Sequence, residues 1–318
     1  MADIGCAGIL VEDTFCGPLR ELPPEGQLVA IDGLPVKAGG CAANVAIDLA
    51  RQGCAVEVLG CLGEDAAARA LQASLEQQGV DCRQLAHTAE HPTSRTVILL
   101  VAGQDRRYLH VFGANRALTV GHLRREWVAG LKLFYFGGLC ALPGIDLDEL
   151  RELLAFARSR GVTTVVDVVV PQAWSGREGL TALLPHIDYF LPNDDESELI
   201  TGCADPLDQL RWFQAKGART VIITRGPAGA LAGREGRYWQ CGPYPAQAVD
   251  PSGSGDAFGA GVIAAIRRGH DLAGLLRYGS ALGASATSAV GTTDGVFTAA
   301  EADAFIAAHR LPVTEGQL

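Results

Sequence analysis

The chain has 318 residues, 48% of them hydrophobic and 19% charged, with 39 Gly and 15 Pro; this composition excludes disorder and fibrous repeats. Twenty-six Lys and Arg against 36 Asp and Glu leave a net charge of −10, so the overall field repels nucleic acid and anionic membranes, and an anionic ligand has to be held by a local device. No linker, repeat or low-complexity tract divides the sequence, and one domain over residues 1–318 is expected. The nine cysteines are odd in number, scattered and free of any C-x-x-C spacing, which points to a reducing compartment. Met1 to Cys6 lack a basic segment followed by an apolar one, and no run reaches the ~18 apolar residues of a membrane span; a cytoplasmic protein is expected.

In chain order, Ile4 to Leu10 reads as a buried strand, and Leu28 to Lys37 has strand-like alternation. Ala42 to Gln52 is a helix, Ala55 to Gly60 a strand and Asp65 to Gln78 a helix. Cys82, His87 and His91 resemble a zinc site only loosely and lack a fourth ligand, so a polar surface loop is the better reading. Arg95 to Val101 and Arg107 to Phe112 alternate like a hairpin around Ala102-Gly103-Gln104-Asp105. Leu131 to Phe136, Thr163 to Asp167, Ile187 to Leu191 and Thr220 to Thr224 are further strands, with helices at Asp146 to Ser159 and Pro206 to Lys216. From Ser254 the chain is mostly small-residue helix. Alternating strand and helix predicts an α/β fold with a mainly parallel sheet covered on both faces. The two alternating stretches predict a small β-sheet lid, roughly residues 14–38 and 94–113, over the carboxyl ends of the main strands, where open α/β sheets bind ligands. Its outer face would need burial, so a homodimer through the lid is expected.

The chemistry concentrates in Asp250-Pro251-Ser252-Gly253-Ser254-Gly255-Asp256-Ala257-Phe258. Glycines at a helix start leave backbone N–H groups at the positive end of the dipole, an arrangement suited to a phosphate or a moving phosphoryl group. Asp256, in the first turn, either caps the helix or accepts a proton from a substrate hydroxyl. Lys37-Ala38-Gly39-Gly40-Cys41-Ala42-Ala43-Asn44 lets backbone approach a ligand at Gly39 and Gly40, with Asn44 as either a hydroxyl partner or a turn cap. Asn193-Asp194-Asp195-Glu196 reads equally as a helix cap with Glu at its third position. Thr224-Arg225-Gly226-Pro227-Ala228-Gly229 reads equally as a strand-to-hairpin turn. Asp13 is either a hydroxyl acceptor or a solvated loop residue.

Taken together, these segments resemble the PfkB family of carbohydrate kinases, the ribokinase-like group. DPSGSGDAF is similar to the C-terminal signature D-T-x-G-A-G-D, departing from it at Pro251 and Ser254. The Lys37 to Ala46 segment resembles the N-terminal signature, and Gly60 to Asp65 a G-x-x-G-x-D turn that supports it. The resemblance implies a ribokinase-like fold, sugar binding at Asp13, Gly39, Gly40 and Asn44, and Asp256 as base with Gly253, Ser254 and Gly255 forming the anion hole. It implies ATP contacts at Thr224, Gly226, Gly229 and Ser280, Mg²⁺ held through water by Asn193 and Glu196, and K⁺ as a candidate at Asp250 and the Ser252 carbonyl. Cys41 stands where these kinases often carry Lys, which argues against a phosphorylated acceptor. Val168-Val169-Val170-Pro171 replaces a more polar D-x-N-x-R run. The expected activity is ATP-dependent phosphorylation of a primary hydroxyl on a small sugar. The alternatives are a nucleoside kinase of the same group and a catalytically silent sugar sensor.

Overall fold

The computed structural model describes residues 2–104 and 106–318, so Asp105 of the expected hairpin turn lies outside the described residues, as does Met1. The first half contains β1 (Ile4–Gly8), β2 (Val11–Leu19), β3 (Val36–Gly39), α1 (Cys41–Arg51), β4 (Val56–Leu59), β5 (Cys61–Gly63), α2 (Ala66–Gln77), β6 (Ala86–Thr88), β7 (Arg95–Val101) and β8 (Arg107–Val111). There follow α3 (Arg125–Ala129), β9 (Leu133–Gly137), α4 (Leu147–Ser159), β10 (Thr163–Asp167), α5 (Arg177–Leu183), β11 (Tyr189–Leu191), α6 (Asp194–Thr201), α7 (Pro206–Ala215) and β12 (Thr220–Thr224). The chain closes with β13 (Ala230–Arg234), β14 (Arg237–Cys241), α8 (Ser254–Arg267), α9 (Leu272–Ala286), α10 (Ala299–Ala308) and β15 (Val313–Gln317).

Nine strands form the central sheet in the order β15-β14-β13-β12-β11-β10-β9-β1-β4, parallel from β4 to β12 and antiparallel beyond. Alternate residues of one strand enter opposite cores, as the two-residue period of a strand requires. Leu133 and Tyr135 of β9 pack with α1, α8 and α9, whereas Phe134 and Phe136 pack with α4, α5 and α7. Glycines bring α8 and α9 close together: a Cβ on Gly261 would lie 2.8 Å from the Gly279 Cα, so a larger residue there would force the helices apart.

A second sheet has the order β3-β2-β7-β8. It corrects the expected strand at Leu28 to Lys37. Residues 20–35 form no strand and are exposed, and pairing begins only at Val36. Pro23, Pro24 and Pro35 cannot donate to a ladder, which outweighs the alternating pattern. The strand that does pair, β2, buries Val11, Asp13 and Phe15 on one side. Asp13 is therefore a buried strand residue, which rules out the solvated-loop alternative. Around Cys82, His87 and His91 no metal cluster forms among the described residues; the Cys82 sulfur lies against the Val80 and Gln72 carbonyls. Among the described residues no helix is long and apolar enough to cross a membrane.

Candidate active site

A cleft of about 290 Å³ opens at the carboxyl ends of β9 to β12, lined by Tyr135, Asp167, Asn193, Glu196, Thr224 and the Gly253–Asp256 turn. A larger groove of about 760 Å³ lies at the opposite, amino ends of β10 to β12. There Arg158 and Arg219 pair with Asp188, far from the glycine loop.

The turn before α8 is fixed from two sides. Asp250, 1% exposed, accepts the Ser252 amide at 2.9 Å and the Gly291 amide at 3.1 Å. Gly253 caps the helix at φ 74°, and a Cβ on it would fall 2.1 Å from the Thr292 carbonyl oxygen, so only glycine fits. No side chain caps α8. The Ser254 amide reaches the Pro251 carbonyl at 3.3 Å, and regular helical pairing starts with Ala257 on the Gly253 carbonyl at 2.8 Å. Among the described residues, the Gly255 and Asp256 amides have no protein acceptor. They present two donors and the positive helix end to the cleft. Pro251 leaves this arrangement intact because its missing N–H falls before the turn.

The N-terminal motif arrives at the same place. Gly40, at φ 89°, caps α1 without a side-chain bond, and Asn44 lies within the first turns, its amide on the Gly40 carbonyl at 2.9 Å. Of the two readings of Asn44, the turn cap is ruled out; its Nδ2 donates to the Asp256 Oδ2 at 2.7 Å. A Cβ on Gly39 would sit 1.8 Å from the Asp13 Oδ2, so the glycine makes room for that carboxylate. Asp13 is 6% exposed, and burial, with the nearby Asp256 charge adding to it, raises its pKa to about 7 against a hydrogen bond from Thr96.

Asn193 and Glu196 form a reciprocal cap: Asn193 Oδ1 accepts the Glu196 amide at 2.8 Å and Glu196 Oε2 accepts the Asn193 amide at 2.9 Å. Burial lifts Glu196 to about 7. Asp256 and Asp167 are also pushed upward, both chiefly by burial. Such a gathering of half-buried acids fits a divalent cation, and Glu196 and Asn193, already engaged by amides, fit a hold through water.

Thr224 lines the cleft, but Gly226, Gly229 and Ser280 do not. Gly229 is required by packing, since its Cβ would meet the Cys241 carbonyl oxygen at 2.1 Å. Ser280 is buried on α9 with its hydroxyl 3.6 Å from the Cys241 sulfur. A separate cavity of about 810 Å³ adjoins this region, lined by Arg225, Ala228 and the Gln240–Pro245 segment. Sequence reasoning missed three cleft residues, Tyr135, Asp167 and Arg106. Tyr135 donates to the Asp167 Oδ2 at 3.1 Å and Arg106 donates to the Ser252 Oγ at 3.3 Å, while Cys41 lines the cleft together with Asp256. Of these, Asp167 had a legible signal, an acid ending a buried parallel strand.

A ribokinase of Haemophilus influenzae is 25% identical over 288 residues, covering 88% of this chain and 91% of that protein. A 2-dehydro-3-deoxygluconokinase of Bacillus subtilis is 27% identical over 288 residues, with 85% and 87% covered. An E. coli protein assigned as ribokinase II, solved with ATP and Mg²⁺, superposes with a TM-score of 0.83 at 22% identity over 97% of this chain and 100% of its own, a likeness of fold. The pfkB family carbohydrate kinase model matches residues 1–299, and the chain belongs to that family of kinases.

Proposed function

We propose that the protein transfers the γ-phosphoryl group of ATP to a primary hydroxyl of a small sugar, with Asp256 as general base. The observation that carries this reading is the 2.7 Å bond from Asn44 to Asp256, which joins the start of α1 to the start of α8 beside two unpartnered amides. Asp13 and Asn44 hold sugar hydroxyls and aim one at the phosphoryl group. The Asp256 carboxylate takes that hydroxyl's proton as the new O–P bond forms and the bond to the β-phosphate oxygen breaks, releasing ADP. The Gly255 and Asp256 amides face the charge that spreads over the moving group's oxygens. Mg²⁺, when bound near Glu196 and Asn193, supplies neutralisation of phosphate charge. The ATP and Mg²⁺ held by the E. coli relative support this cofactor pair. Arg106, bonded to Ser252, ties the second sheet to the anion loop and gives that sheet the part of a lid. The lid's outer side exposes Val97, Leu109 and Val111, at 37–64%, and a homodimer would cover it.

Product formation from ATP is measured across a panel of free sugars, sugar acids and nucleosides, with the phosphorylated carbon located by NMR. Free sugars phosphorylated on a primary carbon support the reading. A nucleoside turned over far faster than every sugar would transfer the assignment to the nucleoside kinases, and tight sugar and ATP binding without product would mark a sensor.

A further inference from the structure

The geometry points to a second cation site in the cleft: Cys41, Asp167 and Asp256 together bind a thiophilic divalent ion of the Zn²⁺ class, and the bound ion withdraws Asp256 from the acceptor. Cys41 opens α1, Asp167 ends β10 and Asp256 lies in the first turn of α8, so three separate elements converge here. One donor atom from each lies within 4.8 Å of the other two. At that upper limit the centre of the triangle is roughly 2.8 Å from each atom, and a small inward movement reaches the 2.0–2.3 Å of Zn–O and Zn–S bonds. Among the described residues no other three His, Cys, Asp or Glu side chains meet in this way.

The surroundings hold two of these donors as outer ligands do in metal centres. Tyr135 donates to the Asp167 Oδ2 at 3.1 Å and Asn44 to the Asp256 Oδ2 at 2.7 Å, which leaves the other oxygen of each carboxylate for an ion. Independently of the triad, the Asn44 carboxamide oxygen is buried, in a side chain 2% exposed, and has no partner. It belongs to the amide group already held against Asp256, and it supplies a neutral oxygen for a fourth ligand or its water.

The donor set decides the metal. A thiolate favours Zn²⁺ or Co²⁺, whereas Mg²⁺ prefers six oxygens and keeps its water. Glu196, bound by its own helix cap, stays with the nucleotide's cation. Binding releases the Cys41 thiol proton to solvent and changes no oxidation state. The inhibitory consequence rests on the proposed role of Asp256; the binding itself does not.

Chelator-stripped, full-length protein without nucleotide or sugar is titrated with Co²⁺ and then Zn²⁺. One equivalent of Co²⁺ is expected to give a thiolate-to-metal charge-transfer band that millimolar Mg²⁺ leaves in place. Cys41→Ser should abolish the band and weaken Zn²⁺ binding by about tenfold or more. Asp167→Asn keeps the thiol and should weaken binding on a similar scale, which provides the test if the Ser variant does not fold. In the kinase assay, each enzyme being referred to its own zinc-free rate, Zn²⁺ should slow the wild type and spare Cys41→Ser. No band at saturating Co²⁺, a band surviving in Cys41→Ser, or equal inhibition of both enzymes overturns the site. A Cys41-dependent band together with full turnover by Asp256→Asn would keep the metal site and remove the base.

Discussion

Helix starts in this protein fall into two groups. Among the described residues, six of the eight helices with at least eight residues begin under a side-chain cap, from Asp65, Asp146, Asn193, Asp205, Asp271 and Thr298. The other two, α1 and α8, begin at Gly40 and Gly253 with no such cap. These two also meet through Asn44 and Asp256. A side-chain cap satisfies the end amides and stabilises the fold; a glycine cap leaves them for a ligand. Five of the capped helix ends lie outside the cleft, and the sixth, α6, brings its own cap pair Asn193 and Glu196 into it, whereas α1 and α8 bring unclosed ends.

The contrast is broken most severely at Gly253. Gly253→Ala puts a methyl against the Thr292 carbonyl oxygen in a left-handed conformation, and the displaced amides should reduce kcat by about 10²-fold. Steady-state kinetics beside a thermal melt measure this, and unchanged kcat would show that the turn does not shape the reaction.

Two acids that feel the Asp256 charge, Asp13 beside α1 and Glu196 in the capped α6, add a pH test. Asp13 has an ordinary value of 3.8 and Glu196 of 4.5, and burial raises both to about 7 in the fold. The folded protein then binds more protons than the unfolded chain between these values. Their contribution to stability is full below about pH 4 and is lost as pH rises toward 7. Asp13→Asn should therefore flatten the pH dependence of the melting temperature across that window; an unchanged slope would contradict it. Asp48, one turn beyond Asn44 on α1, is fully buried with both carboxylate oxygens unpartnered. Asp48→Ala should stabilise the protein by about 1–3 kcal/mol in denaturant titration, and a loss of stability would mean that the carboxyl has a partner in solution.

The smallest effect belongs to the capped group. Asp271 accepts the Gly274 amide at 2.8 Å, away from the cleft. Asp271→Ala should lower stability by about 1 kcal/mol with kcat unaltered. A drop in kcat would erase the distinction between the two kinds of helix start.

What was legible in the sequence follows the same division. The parallel sheet could be read because buried strands such as Val165 and Val166 in β10 are short β-branched runs separated by helices. The glycine turn could be read because Gly253 and Gly255 lie directly before a helical pattern. The second sheet was only half legible. In residues 20–35 an alternating pattern competes with Pro23, Pro24 and Pro35, which forbid pairing, and in β2 Gly17 and Pro18 mask the strand. For Asn44 the sequence leaves a hydroxyl partner and a local cap side by side, because it shows only neighbours along the chain, and the partner Asp256 lies 212 positions away. Tyr135 and Arg106 share the cleft through the same long-range closure, which no local spacing encodes.

The proton-accepting role of Asp256 is tested most directly by Asp256→Asn, an isosteric change that retains a side-chain oxygen toward Asn44. Acceptor and ATP affinities, measured by calorimetry on the intact protein, should stay within a few-fold of wild type, while kcat should fall by ~10²–10⁴-fold. Turnover near the wild-type rate with both ligands bound would contradict the account.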